Sequence, residues 1–145
     1  MKFISAVFTV ILFAVLLSAF KIDKSVKVIR VQNAPTPMSR GKVVYTQYCM
    51  PCHQVDGSGV PNMNPPLIKT SYVLGDKTTL VSIIVKGLNK GVVIDGEEYT
   101  NPMPAQSFLT DQQVADVTTY VRNSFGNKAA GLTLGEVKAI KAKLK

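Results

Sequence analysis

Apolar residues crowd together at the start of the chain and then thin into stripes. Phe3 to Phe20 is apolar apart from Ser5, Thr9 and Ser18, with no polar face. Farther on, Gly41, Val44, Tyr45 and Tyr48 fall at i, i+3, i+4 and i+7. This spacing predicts a helix that begins near Met38, takes Ser39 as its N-cap and runs into Cys49. A second helix is expected over Lys77–Leu88, where Leu80, Ile83, Ile84, Gly87 and Leu88 share a face. Val114, Val117 and Val121 form the stripe of a third, opened by a capping box of Thr110 and Gln113. Thr133 and Glu136 open a fourth, with Val137, Ile140 and Leu144 as its apolar positions.

The segments between these stripes read as loop. NAPTP, Asn33 to Pro37, carries two prolines, which stop a helix and mark 21–37 as a linker. Gln54 to Pro66 is rich in Gly, Pro and Asn. Asp95-Gly96 lies between two short apolar-containing runs in GVVIDGEEY and signals a hairpin. NPMPA, Asn101 to Ala105, is too rich in proline for a regular element. The expected architecture is all-α. Three to four helices with long loops form a body over 38–127, and a basic helical extension follows over 128–145. A body this small, with this much loop, makes a thin core that a non-protein group could complete.

The first segment follows the single charge of Lys2 and resembles an export signal. Its length is also close to the minimum for a membrane span. Ser18-Ala19-Phe20 is a poor cleavage site. Conversely, Lys21, Lys24, Lys27 and Arg30 would lie on the exported side of an anchor, against the usual charge bias. Residues 1–20 are therefore a signal peptide or an N-terminal membrane anchor, with attachment through residues 3–20. Either places the body in the periplasm or another extracytoplasmic space.

The formal net charge of +8 does not belong to the body. Between Arg40 and Gly126, seven basic residues balance seven acidic ones. The surplus sits in the flanks, at Lys21 to Arg30 and at Lys128, Lys138, Lys141, Lys143 and Lys145. A nucleic-acid protein usually carries its basic surface on the folded domain, so no nucleic-acid partner is expected. Basic flanks could steer a protein partner or touch anionic lipid.

The chemistry is concentrated in CMPCH, Cys49 to His53, which holds both cysteines and the only histidine of the chain. Cys-x-x-Cys-His is the attachment sequence of c-type haem. Two thiols on one helical turn can add to the two vinyl groups of a porphyrin edge. The adjacent His53 then lies under the iron as proximal ligand. A zinc site would want four ligands, and adjacent Cys52 and His53 share a tetrahedron badly. A disulfide closing so small a loop would stabilise little, and a dithiol redox motif wants a βαβ context that is missing here. One haem c is expected, attached through Cys49 and Cys52, and its iron cannot be bis-histidine within this chain.

A methionine is the natural sixth ligand. Met50 lies between the cysteines and Met38 precedes the first helix. Met63 follows His53 by ten residues, inside the loop that must first cover the proximal side. Met103 follows by fifty and is flanked by Pro102 and Pro104, which restrict the backbone around it. Met103 is therefore favoured. A ligating imidazole usually donates its second N–H to an acceptor, often a backbone carbonyl. Pro65 and Pro66 are the candidates.

CMPCH, DGSGVPNMNPPL (Asp56 to Leu67), NPMPA and LTDQQVADVTTYVRNSFGN (Leu109 to Asn127), in this order, resemble a small bacterial class I cytochrome c. They are similar to the single-haem domains found beside dehydrogenases, nitrite reductases and terminal oxidases. The resemblance covers about Ser39 to Asn127. It implies the class I cytochrome c fold, thioether links at Cys49 and Cys52, and iron held by His53 and Met103. It also implies that the carbonyl of Pro66 accepts from His53 and that Gly41 meets Tyr120 where the first and last core helices cross. The function implied is electron transfer between extracytoplasmic redox partners, or service as the cytochrome subunit of an oxidoreductase, without enzymatic activity of its own. The alternative is a gas sensor or peroxidase-like protein with an open sixth iron site. The helix from Thr133 departs from the minimal family pattern.

Overall fold

The computed structural model describes residues 34–144. The expected export segment at 1–20 and most of the 21–37 linker lie outside the described residues. The elements are α1 (Pro37–Tyr48), α2 (Met50–His53), α3 (Ser71–Leu74), α4 (Lys77–Lys86), β1 (Val92–Ile94), β2 (Glu97–Tyr99), α5 (Asp111–Arg122) and α6 (Leu134–Lys143). None of these helices is long and apolar enough to cross a membrane.

α1 starts earlier than the apolar spacing suggests. Thr36, not Ser39, is the N-cap, and its hydroxyl accepts from the Ser39 N–H at 3.1 Å. Pro37 occupies the first turn, where a missing N–H costs nothing and a fixed φ helps. The second proline of NAPTP thus opens the helix instead of holding the chain in a linker. α5 and α6 carry the expected capping boxes, Thr110 with Gln113 and Thr133 with Glu136. α3, four residues capped by Thr70, is too short to show a periodicity. The hairpin is as expected. β1 and β2 pair antiparallel, Val92 opposite Tyr99 and Ile94 opposite Glu97, and Asp95 and Gly96 turn with φ of 53° and 85°. It is the one sheet among the described residues, which are otherwise helix and loop.

α1 and α5 cross at backbone contact. A Cβ on Gly41 would lie 2.1 Å from the Asp116 carbonyl oxygen and 2.7 Å from Tyr120 Cβ. Beside the crossing, Tyr45 packs its ring 5.4 Å from Tyr120 and 5.2 Å from Phe125. Arg40 closes the far side with a fork to the buried Asp116, Nε to Oδ2 at 2.6 Å and Nη2 to Oδ1 at 2.7 Å. That bond raises the Arg40 pKa above its ordinary value. The same buried cluster reaches Val114 and Val117 of α5, Val81 of α4 and Val137 of α6.

The helix over 134–143 packs on this body. Val137 is fully buried and Leu132 nearly so. Thr119 Oγ1 accepts from the Leu132 N–H, and ion pairs join Lys77 to Glu136 at 2.8 Å and Lys141 to Asp111 at 2.6 Å.

Gly41→Val should lower the unfolding free energy of the haem-loaded protein by about 2–3 kcal/mol, because the backbones cannot part without opening the core. Guanidinium unfolding measures this, and an unchanged midpoint would contradict the crossing. Hydrogen bonds from Lys77, then from Thr133, hold the Glu136 carboxyl down to about 2, against 4.5 ordinarily. Its stabilisation is therefore present above about pH 4.5 and lost as pH falls toward about 2. Glu136→Gln should flatten the stability–pH curve in that window and leave its slope near neutrality unchanged.

Candidate functional site

The attachment motif folds as one turn of helix. The Cys52 and His53 N–H groups both donate to the Cys49 carbonyl, at 3.2 and 2.9 Å. Cys49, Cys52 and His53 therefore stand at i, i+3 and i+4, on one face. Gln54 then enters the left-handed region with φ of 65° and ends the turn. Cys49 is half-buried and Cys52 exposed, and neither forms a disulfide. Burial, then the neighbouring Cys52, pushes the Cys49 thiol up to about 11.

His53 is buried, and its Nδ1 lies 3.0 Å from the carbonyl oxygen of Pro65. This corrects the expectation that Pro66 is the acceptor. The cause lies in the loop. Gly59 has φ of 69°, and a Cβ there would lie 2.3 Å from the Asn64 carbonyl oxygen and 2.7 Å from that of Pro65. Only glycine lets the loop close this tightly. Val60 and Asn64 then exchange both backbone hydrogen bonds, at 2.8 and 2.9 Å, and this turn aims the Pro65 carbonyl at the imidazole. Pro66 lines the cleft beside Pro65 but does not accept from His53. With Nδ1–H donating to Pro65, the tautomer leaves the Nε2 lone pair free. Burial lowers the His53 pKa, and the Pro65 bond opposes it in part. A neutral imidazole with one unprotonated nitrogen is the state a metal ligand requires.

The cleft measures about 930 Å³, counting the space open to solvent at its mouth. Cys49 and His53 form part of its wall. Leu80, Ile83, Ile84 and Leu88 enter from α4 and its C-terminal end, and Val117 and Val121 from α5. Among the described residues, Lys90 is the one charged side chain on its lining.

Met103 also lines this cleft, while Met63 does not and is 48% exposed. The Met103 backbone is pinned. Its N–H donates to Leu88 O at 2.9 Å and its carbonyl accepts from Leu88 N–H at 2.8 Å. A Cβ on Gly87, whose φ is 76°, would lie 2.5 Å from the Met103 carbonyl oxygen. The preceding residues are stitched to the loop that serves His53. Thr100 N–H donates to Asn62 O, Asn101 N–H to Met63 O, and Asn101 Nδ2 to Asn64 Oδ1 at 3.1 Å.

Sequence reasoning missed several of these supports. Asn127, 3% exposed, donates through Nδ2 to Leu67 O at 2.9 Å and Val121 O at 2.8 Å, and accepts from Lys69 N–H at 2.8 Å. It fixes the chain leaving Pro66 against the end of α5. Gly59 lies in a Gly-, Pro- and Asn-rich run, whereas Gly87, expected within the second helix, instead caps α4 after Lys86, and nothing in the sequence names the partners of either.

A protein-family model described as Cytochrome c matches residues 38–125, more than half of the chain. The chain belongs to the cytochrome c family. This cytochrome is 39% identical over 95 residues to the cytochrome c subunit of alcohol dehydrogenase (quinone) from Gluconacetobacter polyoxogenes, a match covering 63% of this chain and 20% of that protein. It is 30% identical over 112 residues to cytochrome c-552 of Thermus thermophilus, covering 71% of this chain and 85% of that protein. The gluconate 2-dehydrogenase cytochrome c subunit of Pantoea cypripedii is 35% identical over 107 residues, 70% of this chain and 24% of the relative. The chain spans about a fifth of the length of the alcohol dehydrogenase subunits it matches.

The cleft suits the group that defines this family. Its wall is almost wholly apolar, Cys49 lies in it one helical turn from the second free thiol, Cys52, and a buried imidazole lines it. Haem c is bound covalently through Cys49 and Cys52.

Asn127→Ala should cost roughly 1–2 kcal/mol of unfolding free energy, because it strands the buried Val121 carbonyl and removes the partner of the part-buried Leu67 carbonyl and Lys69 N–H. Denaturant titration of the haem-loaded variant tests this, and a loss below half a kcal/mol would show that water replaces the amide freely.

Proposed function

We propose that the iron of this electron-transfer haem protein would be held by His53 Nε2 and Met103 sulfur, and that it carries single electrons without catalysing a reaction of its own. One observation supports this above the rest. His53 and Met103 line the same apolar cleft, each with its backbone or ring fixed by hydrogen bonds, and Met63 stands outside it. The bound group supplies a metal centre that accepts or releases one electron. The protein supplies the surroundings. Pro65 holds the imidazole in one tautomer and orientation, and Leu88 and Gly87 fix the methionine backbone. α4 and α5 exclude water. A site built this rigidly has little to rearrange when the charge at its centre changes.

Two ligands supplied by the chain, His53 and Met103, would also argue against a gas-sensing or peroxidase role. A methionine ligand leaves no place for an outside molecule, and the chain has no second histidine to assist peroxide cleavage. The proposed partners are redox proteins, with a dehydrogenase as the leading class. Three relatives are named as cytochrome subunits of alcohol, gluconate and fructose dehydrogenases. We place the domain in the periplasm or another extracytoplasmic space, on the strength of the export-type sequence at 1–20.

Methionine opposite histidine raises the reduction potential. In a redox titration, Met103→Ala should therefore lower the midpoint potential, while Met63→Ala should leave it at the wild-type value. A drop confined to Met63→Ala would reassign the ligand.

A further inference from the structure

Arg122, the last residue of α5, is 5% exposed and meets no carboxylate among the described residues. The ion pairs among the described residues involve Arg40, Lys77 and Lys141. Arg122 instead donates only to backbone carbonyls: Nε to Ala130 at 2.8 Å, Nη1 to Val73 at 2.6 Å and Gly75 at 3.2 Å, and Nη2 to Leu74 at 3.4 Å. The other buried charged side chain, Asp116, is neutralised by the Arg40 fork. Arg122 is thus an uncompensated positive charge inside the body.

It also sits directly behind the haem cleft. Val121, its neighbour in sequence, and Val73, whose carbonyl it takes, both line that cleft. Four carbonyl dipoles replace the water around the guanidinium, but they carry no net charge. The field of a buried cation reaches farther than that of a dipole and is little screened by salt. Arginine keeps its charge at every accessible pH.

We propose that Arg122 is a fixed internal charge that raises the reduction potential of this cytochrome. The oxidised iron carries one more positive charge than the reduced iron. A cation behind the cleft wall therefore disfavours loss of the electron and favours its uptake. Arg122 touches neither the iron nor its ligands, so it is a tuning residue. The inference rests on the cleft being the haem site and not on which methionine binds the iron.

The test is a one-electron redox titration of the haem-loaded protein and its variants at about pH 6. Arg122→Gln keeps donors for the carbonyls and removes the charge. It should shift the reduced-to-oxidised ratio at a fixed potential roughly tenfold toward the oxidised form, a fall of about 59 mV. Arg122→Met, with no donors at all, should shift it the same way. Arg122→Lys keeps a charge but loses the fork, so it should unfold more easily and hold a potential near the wild type. Carbon monoxide binding to each reduced variant checks that the sixth ligand is still in place. A wild-type potential in Arg122→Gln would overturn the proposal. So would an equal fall in Arg122→Lys, or a fall accompanied by new carbon monoxide binding, since either would make Arg122 a structural staple only.

Discussion

The hydrogen bond between His53 Nδ1 and the Pro65 carbonyl is the contact on which the site depends. It joins the attachment turn to the loop that covers it, and it fixes which imidazole nitrogen carries the proton. Its acceptor is a carbonyl in a chain that Pro65 and Pro66 make stiff and that the Val60–Asn64 pairing aims. Gly59 permits this by having no side chain where the Asn64 and Pro65 carbonyls come close. The Pro65 bond orients the imidazole and burial favours its neutral form, before any metal chemistry is considered.

The methionine side depends on the same loop. Asn62, Met63 and Asn64, which follow the His53 turn, hold Thr100 and Asn101, which precede Met103. The other anchor is Leu88 at the end of α4. Segments far apart in sequence are thus clamped to one frame, and α6 steadies that frame through Val137 and its ion pairs to α4 and α5. A small valine-rich core is sufficient because a large flat cofactor completes it.

What the sequence reveals and what it hides divide along the range of each interaction. CMPCH is local, so its chemistry is legible without a structure. The capping boxes of α5 and α6 and the Asp95-Gly96 turn are equally local, and they fall where expected. The Gly41–Tyr120 crossing followed from family resemblance. Pro65 and Pro66 could not be separated by residue type, because a carbonyl's direction is set by the backbone of Gly59 to Asn64. Pro37 misled, since a proline that breaks one helix opens another. Asn127 and Arg122 were invisible as supports because most of their partners lie tens of residues away and are backbone atoms, which sequence does not mark.

The central claim is the proposal that His53 and Met103 would together hold the iron and leave it no open position. Carbon monoxide binding to the dithionite-reduced, fully matured wild-type protein, followed by absorption, tests it most directly. No spectral change is the predicted result, with His53 and Met103 occupying both positions. Rapid and complete binding would contradict it, and would mean an open iron and a protein suited to sensing or catalysis.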